Sequence, residues 1–133
     1  MLLNRVARQV SREFDEALAA AGGSRSIWLV LLALTINAEA NQSQLADFVG
    51  IRGATLTHHL NAMESAGLVV RARDPHNRRS HVIRRTAAGD ELFLRLRDAA
   101  SGFDSRLRTG LSAKDVQALT RLLERLADNA ALR

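Results

Sequence analysis

The chain has 133 residues, a length typical of one domain, and 19 Lys and Arg against 14 Asp and Glu give a formal net charge of +5. It contains no Cys, which excludes disulfides, thiolate metal sites and thiol redox switches. No apolar run approaches the roughly 18 residues that span a bilayer, and no signal-peptide pattern is present, so we expect a cytoplasmic protein without membrane contact.

Two helices are predicted in the first 37 residues. Apolar side chains recur at helical spacing from residue 3 to residue 21, and the glycines at 22 and 23 end this amphipathic helix. A second helix begins at a serine cap, either Ser24 or Ser26, and runs to about Asn37. Because it is apolar on nearly every side, we expect it at the centre of the fold.

The next two helices have the spacing of a helix-turn-helix. Asn41 is a candidate cap for a short third helix, with Gln44 at the reciprocal capping-box position, and Gly50 ends that helix. A fourth helix is predicted over about residues 53–66, with Gly67 as its left-handed C-terminal cap. The tight connection between these two short helices is typical of the motif.

The C-terminal half combines a hairpin with two more helices. The apolar period changes from 3.6 to 2, which predicts strands at residues 68–73 and 81–85 joined by a turn containing Pro75. A long helix is predicted to follow a Thr86 cap and run to about residue 108, and a last helix begins at a Ser112 cap. The predicted fold class is mainly α with a small β-hairpin wing.

The excess positive charge lies in one segment of the chain. Residues 52–85 hold seven arginines and all four histidines but only two acidic residues, whereas the charges of the remaining residues cancel. A neutral body with one basic block is typical of proteins that bind a polyanion.

The fourth helix has a surface that suits a DNA groove. Helical spacing places Leu56, Leu60 and Met63 toward the core. The opposite face is small, polar and free of carboxylates, which fits the major groove and allows hydrogen bonds to base edges and phosphates. Arginines around the hairpin turn suit the narrow minor groove. The candidate DNA-binding residues are Arg52, Thr55, Thr57, His58, Asn61, Arg73, Arg78 and Arg79.

Three motifs in this segment resemble the MarR (multiple antibiotic resistance regulator) family. They read L-x-x-M-E-x-x-G-L-V-x-R from residue 60, D-P-x-N-R-R from residue 74 and T-x-x-G from residue 86. The resemblance implies a homodimeric winged-helix transcriptional regulator, most often a repressor released by a small ligand. Two positions depart from the family pattern: Asn77 replaces an Asp in the wing, and Arg85 replaces a Leu. We expect the Arg85 stem to be buried and its head to reach solvent.

The resemblance also implies an organisation and a set of partners. Residues 1–133 form one MarR-like domain, in which residues 24–85 are the winged helix-turn-helix DNA-binding lobe and residues 1–21 and 86–133 are dimerisation helices. The implied partners are double-stranded DNA with a pseudo-palindromic site, a second copy of the chain and a small-molecule effector. Its candidate contacts are Arg8, Arg12, Phe14 and Trp28. No cofactor or metal is expected, because the chain lacks Cys and its histidines lie in the DNA-facing segments.

Three other function classes remain as alternatives. A helical dimer could dock an acidic protein partner through its basic hairpin without reading bases, but this would leave the polar face of the fourth helix unexplained. The adjacent His58 and His59 lack the partners that an enzyme needs, so the chain is predicted not to be an enzyme. An RNA-binding module is disfavoured because aromatic residues make up only 4% of the sequence.

Overall fold

A computed structural model describes residues 1–132, apart from the side chains of residues 78–80. This part of the chain forms helices and a small antiparallel sheet. In chain order the elements are α1 (Leu2–Ala20), α2 (Arg25–Ile36), β1 (Ala40–Asn41), α3 (Gln42–Val49), α4 (Gly53–Ser65), β2 (Val69–Asp74), β3 (Asn77–Arg85), α5 (Ala87–Leu107) and α6 (Ala113–Ala131). Over the described residues no single helix is long and apolar enough to cross a membrane; α1 and α2 pass that test only jointly, across a 75° bend.

The helix ends follow the predicted capping signals. Ser24, the first of the two candidate caps, accepts a hydrogen bond from the Ile27 amide over 3.2 Å. Both halves of the predicted capping box are present at the start of α3. At the end of α4, Gly67 has φ +75°, and the Leu68 amide donates to the Met63 carbonyl over 2.9 Å. This is the geometry of a Schellman motif, so the predicted glycine cap is confirmed.

The sheet has the strand order β1-β3-β2, with both pairs antiparallel. The hairpin of β2 and β3 is confirmed, but β3 begins at Asn77 rather than at residue 81, so the turn is tighter than expected. Strand β1 was not predicted because two residues show no periodicity. It pairs Ala40 with Ile83, which fixes the amino end of α3 against the sheet.

The hydrophobic core is built from α2, α4 and the first half of α5, with further side chains from α1, α3 and the sheet. The central position predicted for α2 is confirmed by its buried Val30, Leu31 and Leu34. The predicted inner face of α4 is also buried. The fully buried large side chains are Leu18, Leu31, Leu34, Leu45, Leu56, Leu60, Met63, Ile83, Leu96, Val30 and Val69.

The described chain divides into two compact units, residues 1–101 and residues 102–133. The first unit contains the core and the sheet. The second contains the end of α5 and all of α6, and α6 has no buried residue. Its leucines at 119, 122 and 126 are each 50–52% exposed and form a stripe along one side of the helix.

The Arg85 side chain differs from its prediction, because its head binds the protein instead of extending freely into solvent. Its Nε atom lies 2.9 Å from an Asp90 carboxylate oxygen, and its Nη1 atom donates to the Thr35 hydroxyl over 2.7 Å. The guanidinium also lies over the Phe93 ring, 5.0 Å from its centroid. A side chain that is 22% exposed therefore joins the end of β3 to α2 and α5.

The close packing of Gly89 against the hairpin predicts a large cost for Gly89→Ala. A Cβ atom there would lie 2.1 Å from the Leu68 carbonyl oxygen, which is backbone and cannot rotate away. We expect a loss of about 1–3 kcal/mol in the free energy of unfolding, because overpacking forces the backbone to shift. Urea unfolding measures the change.

Gly102→Ala is the matched control, since Gly102 lies in the same helix with no atom within 4 Å of the added Cβ. Its better helix propensity should raise stability by up to about 1 kcal/mol. Equal effects of the two substitutions would contradict the proposed packing of Gly89.

Candidate nucleic-acid interface

Helix α4 is held in place by apolar contacts between its inner face and the core and by polar contacts at its amino end. Leu56 and Leu60 are fully buried. The Gln42 side-chain amide of α3 donates to the Thr57 hydroxyl and lies 3.4 Å from the Gly53 carbonyl oxygen. The first turn of α4 is therefore tied directly to the amino end of α3.

The outer face of α4 is fully available to a partner. All six of its members are exposed, and none is a carboxylate: Ala54, Thr55, His58, Asn61, Ala62 and Ser65. The hydrogen-bonding groups of Thr55, His58 and Asn61 occupy the first three turns. This face can present hydroxyl, imidazole and amide groups to a groove without repelling phosphates.

Thr57 differs from the other predicted contacts on α4. It is half-buried, and its hydroxyl donates to the Gly53 carbonyl over 2.9 Å while it accepts from Gln42. Both functions of the hydroxyl are used within the protein. The Thr57 hydroxyl therefore stabilises the packing of α3 against α4 and is not free to bind a ligand.

The arginines of the basic block divide into two groups. Arg84 lies 3.5 Å from Glu39, and Arg85 pairs with Asp90. Arg52 and Arg73 are exposed, and neither has a carboxylate partner among the described residues. Arg52 precedes α4 and Arg73 lies on β2. The side chains of the predicted Arg78 and Arg79 lie outside the described residues.

The candidate effector residues fall into two places. Arg8 and Arg12 line a cavity of about 640 Å³ whose lining residues all belong to α1. Trp28 is half-buried and stacks on Phe93, with ring centroids 5.5 Å apart and planes inclined by 9°. Phe14 also packs against the core. The structure therefore brings the two arginines together and gives both aromatic residues contacts with the core.

Three residues near α4 have positions that the sequence analysis did not single out. Gln42, Arg71 and His81 line a cavity of about 350 Å³ beside the amino end of α3. Arg71 and His81 were counted in the basic block, and Arg71 also ends the motif that starts at residue 60, but neither was given a role of its own. No group of three potential metal ligands occurs within the described part of the chain.

Comparison with known proteins shows similarity to a family of transcriptional regulators. The family model described as MarR family matches residues 24–80. An HTH-type transcriptional regulator of Bacillus subtilis, YdgJ, described as uncharacterized, is 33% identical over 102 residues, or 76% of this chain. The match spans 62% of the length of that curated relative.

Solved structures share the fold over nearly the whole chain. A transcriptional repressor, CouR, bound to a 23-mer DNA duplex, is 30% identical with a TM-score of 0.84, and the match covers 95% of this chain and 89% of CouR. A mutant MarR from E. coli complexed with operator DNA is 21% identical with a TM-score of 0.83, covering 94% and 90% of the two chains. The PcaV regulator from Streptomyces coelicolor is 22% identical with a TM-score of 0.80, covering 96% of each chain.

These likenesses agree with the fold described above, a mainly helical chain with a small three-stranded sheet beside a helix-turn-helix. The agreement extends beyond the winged lobe, since the match to CouR reaches most of the residues of both chains at 30% identity. The chain belongs to the MarR family.

Proposed function

We propose that this protein is a transcriptional regulator that binds double-stranded DNA in a sequence-specific manner. The observation that carries the proposal is the exposed, carboxylate-free polar face of α4 on a buried apolar base. The repressor CouR, similar over 95% of this chain, is described as bound to a DNA duplex. In this role the protein acts without catalysis and works in the cytoplasm.

In this proposal α4 is the recognition helix and the β2–β3 hairpin is the wing. The first turns of a recognition helix lie deepest in the major groove, which assigns base contacts to Thr55 and His58 and, one turn further on, Asn61. Arg52 and Arg73, together with Arg78 and Arg79, contact phosphates or the minor groove. Thr57 is assigned a positioning role: its bond with Gln42 holds α4 against α3, and it does not contact DNA.

A homodimer follows from apolar surface that each unit leaves exposed. In the first unit, α1 exposes Leu2, Leu3 and Val6 by 43–65%, and in the second α6 exposes its leucine stripe. Such stripes mark interfaces, because contiguous exposed apolar surface is uncommon on soluble monomers. Two copies related by a twofold axis would read a pseudo-palindromic site in successive major grooves, about 10 bp apart.

The proposed regulation is repression that a small ligand releases. The cavity along α1 carries Arg8 and Arg12, whose guanidinium groups suit an acidic ligand, and also Asp15 and Glu16; the Asp15 carboxylate is paired with Arg25. All of its lining residues lie on one helix, so a partner copy would supply the opposite wall. Trp28 and Phe14 then contribute by fixing α1 and α2 to the core.

The function is tested by binding-site selection from fragmented genomic DNA with the full-length protein. We expect a motif with dyad symmetry. Thr55→Ala and His58→Ala should change the preferred half-site bases, since a lost base contact costs about 1–3 kcal/mol at one or two base pairs. Ser65→Ala, on the same face but at the far end of α4, is the control and should leave the motif unchanged. A protein that captures acidic polypeptides but selects no motif would instead support the interaction-protein alternative.

Substitution of the arginines tests the electrostatic part of the interface. If a dimer neutralises about 6–10 phosphates, affinity should fall by about 10³–10⁵ between roughly 50 and 200 mM salt. Arg73→Ala, Arg78→Ala and Arg79→Ala should each weaken binding to most sequences and make the salt dependence shallower. Arg97→Ala, which removes an exposed arginine from α5, should do neither. An unchanged salt dependence in all three hairpin variants would place the wing away from DNA.

The dimer is tested by one charge on the α6 stripe. Leu122→Glu should give a monomer with strongly reduced DNA affinity, because burial of an unpaired carboxylate opposes association. The fold should persist, since Leu122 is 51% exposed in the single chain. Light scattering after size exclusion measures the mass. Gln117→Glu adds the same charge to the polar side of α6 and should remain dimeric; a dimeric Leu122→Glu protein would exclude this stripe from the interface.

A further inference from the structure

The cavity beside the amino end of α3 combines three kinds of group that favour an anion. Its lining consists of Asn41, Gln42, Ser43, Arg71, His81 and Ile83. An arginine, an imidazole and the first turn of a helix face a space of about 350 Å³. No carboxylate lines this cavity, and Arg71 has no ion pair within the described chain.

Arg71 is the unusual member of this group. It lies on β2 opposite Ile83, whose side chain is buried, so the pairing holds the base of Arg71 at the edge of the core. Its Nη2 atom is buried and has no hydrogen-bond partner among the described residues. Burying part of a cation without an acceptor is costly, and an anion in the adjacent cavity would offset this cost.

The amino end of α3 adds to the positive potential. The capping box uses the side chains of Asn41 and Gln44 to satisfy each other's backbone amides. The amides of Gln42 and Ser43, in the first turn, are not used by the capping box and lie at the positive end of the helix dipole. A guanidinium group beside this helix end is unfavourable unless a negative charge lies between them.

The location of the cavity identifies the source of the anion. Gln42 lines the cavity and its side chain also binds Thr57 of α4. The cavity is therefore separated from the first turns of α4 only by the Gln42 side chain. When α4 lies in the major groove, these turns are flanked by the sugar-phosphate backbone of the DNA. His81 is exposed, and its imidazole supplies a further N–H donor from β3.

We propose that Arg71, His81 and the first turn of α3 bind one backbone phosphodiester of the DNA site, and that Gln42 links this contact to the position of α4. The inference rests on the proposed DNA-binding function. It adds a phosphate contact at the base of the hairpin; Arg73, an exposed arginine of the wing, lies directly opposite His81 and flanks this contact. One bound phosphate would complete the hydrogen bonding of Arg71 and fix the register of α4 in the groove.

The test is a scan of the selected DNA site in which single phosphates are replaced by neutral methylphosphonates. Wild-type protein should lose about tenfold in affinity at one phosphate in each half-site, and Arg71→Gln should be insensitive at that position alone. His81→Ala, at an exposed position that the fold tolerates, should lose sensitivity at the same phosphate. Arg97→Gln, on α5, should match the wild type at all positions.

Stability of the free protein separates this role from a structural one. Without DNA, Arg71→Gln should unfold at the same temperature as wild type or a higher one, because a poorly solvated cation is removed. The proposal would be overturned if Arg71→Gln unfolded at a markedly lower temperature than wild type and His81→Ala kept the wild-type sensitivity to methylphosphonates at every position.

Inorganic phosphate distinguishes a free anion from the DNA backbone. At constant ionic strength, its effect on the unfolding temperature is measured for wild type and Arg71→Gln. If phosphate stabilises only wild type while the methylphosphonate scan shows no difference, the cavity takes free anions and the DNA assignment is wrong. If wild type binds no DNA, the proposed function fails with it, and the phosphate measurement alone decides whether Arg71 forms an anion site.

Discussion

The burial of one face of α4 is the constraint on which the interface depends. Leu56, Leu60 and Met63 are at most 2% exposed, and each buried side chain of this size contributes about 1.5–3 kcal/mol. Because a helix repeats every 3.6 residues, fixing these three side chains inward fixes Thr55, His58 and Asn61 outward. The same contacts that stabilise the domain therefore set the direction of the groups proposed to read DNA, and no separate device is needed to display them.

Polar contacts then define the position of α4 along its axis. Apolar side chains allow a helix to slide or tilt slightly, whereas the bond from Gln42 to Thr57 and the link from Thr57 to Gly53 are directional. Strand β1 holds the preceding residues against β3 at Ile83. The amino ends of α3 and α4 and the hairpin are thus connected through a few short contacts.

The arginines serve two purposes that their sequence positions do not separate. Arg84 and Arg85 are adjacent, and both pair with carboxylates; Arg85 also joins β3 to α2 and α5 through Thr35 and Phe93. Arg52, Arg71 and Arg73 have no such partners in the described residues. The formal charge of the basic block is consequently larger than the charge that a polyanion would meet. The difference arises because structural arginines are neutralised by residues outside the block, Glu39 and Asp90.

The sequence by itself determined the features that depend on local spacing: the order of the helices, the caps at Asn41 and Gly67, the inward face of α4 and the hairpin. Periodicity and capping act over a few residues, so they can be read without the fold. Only the tertiary structure decided which polar groups meet. The two-residue β1, the use of the Thr57 hydroxyl by Gln42, the bound head of Arg85 and the unpartnered Nη2 of Arg71 all depend on residues that are distant in the chain. Such contacts form between elements whose relative placement is set by core packing, and no pattern within one element specifies them.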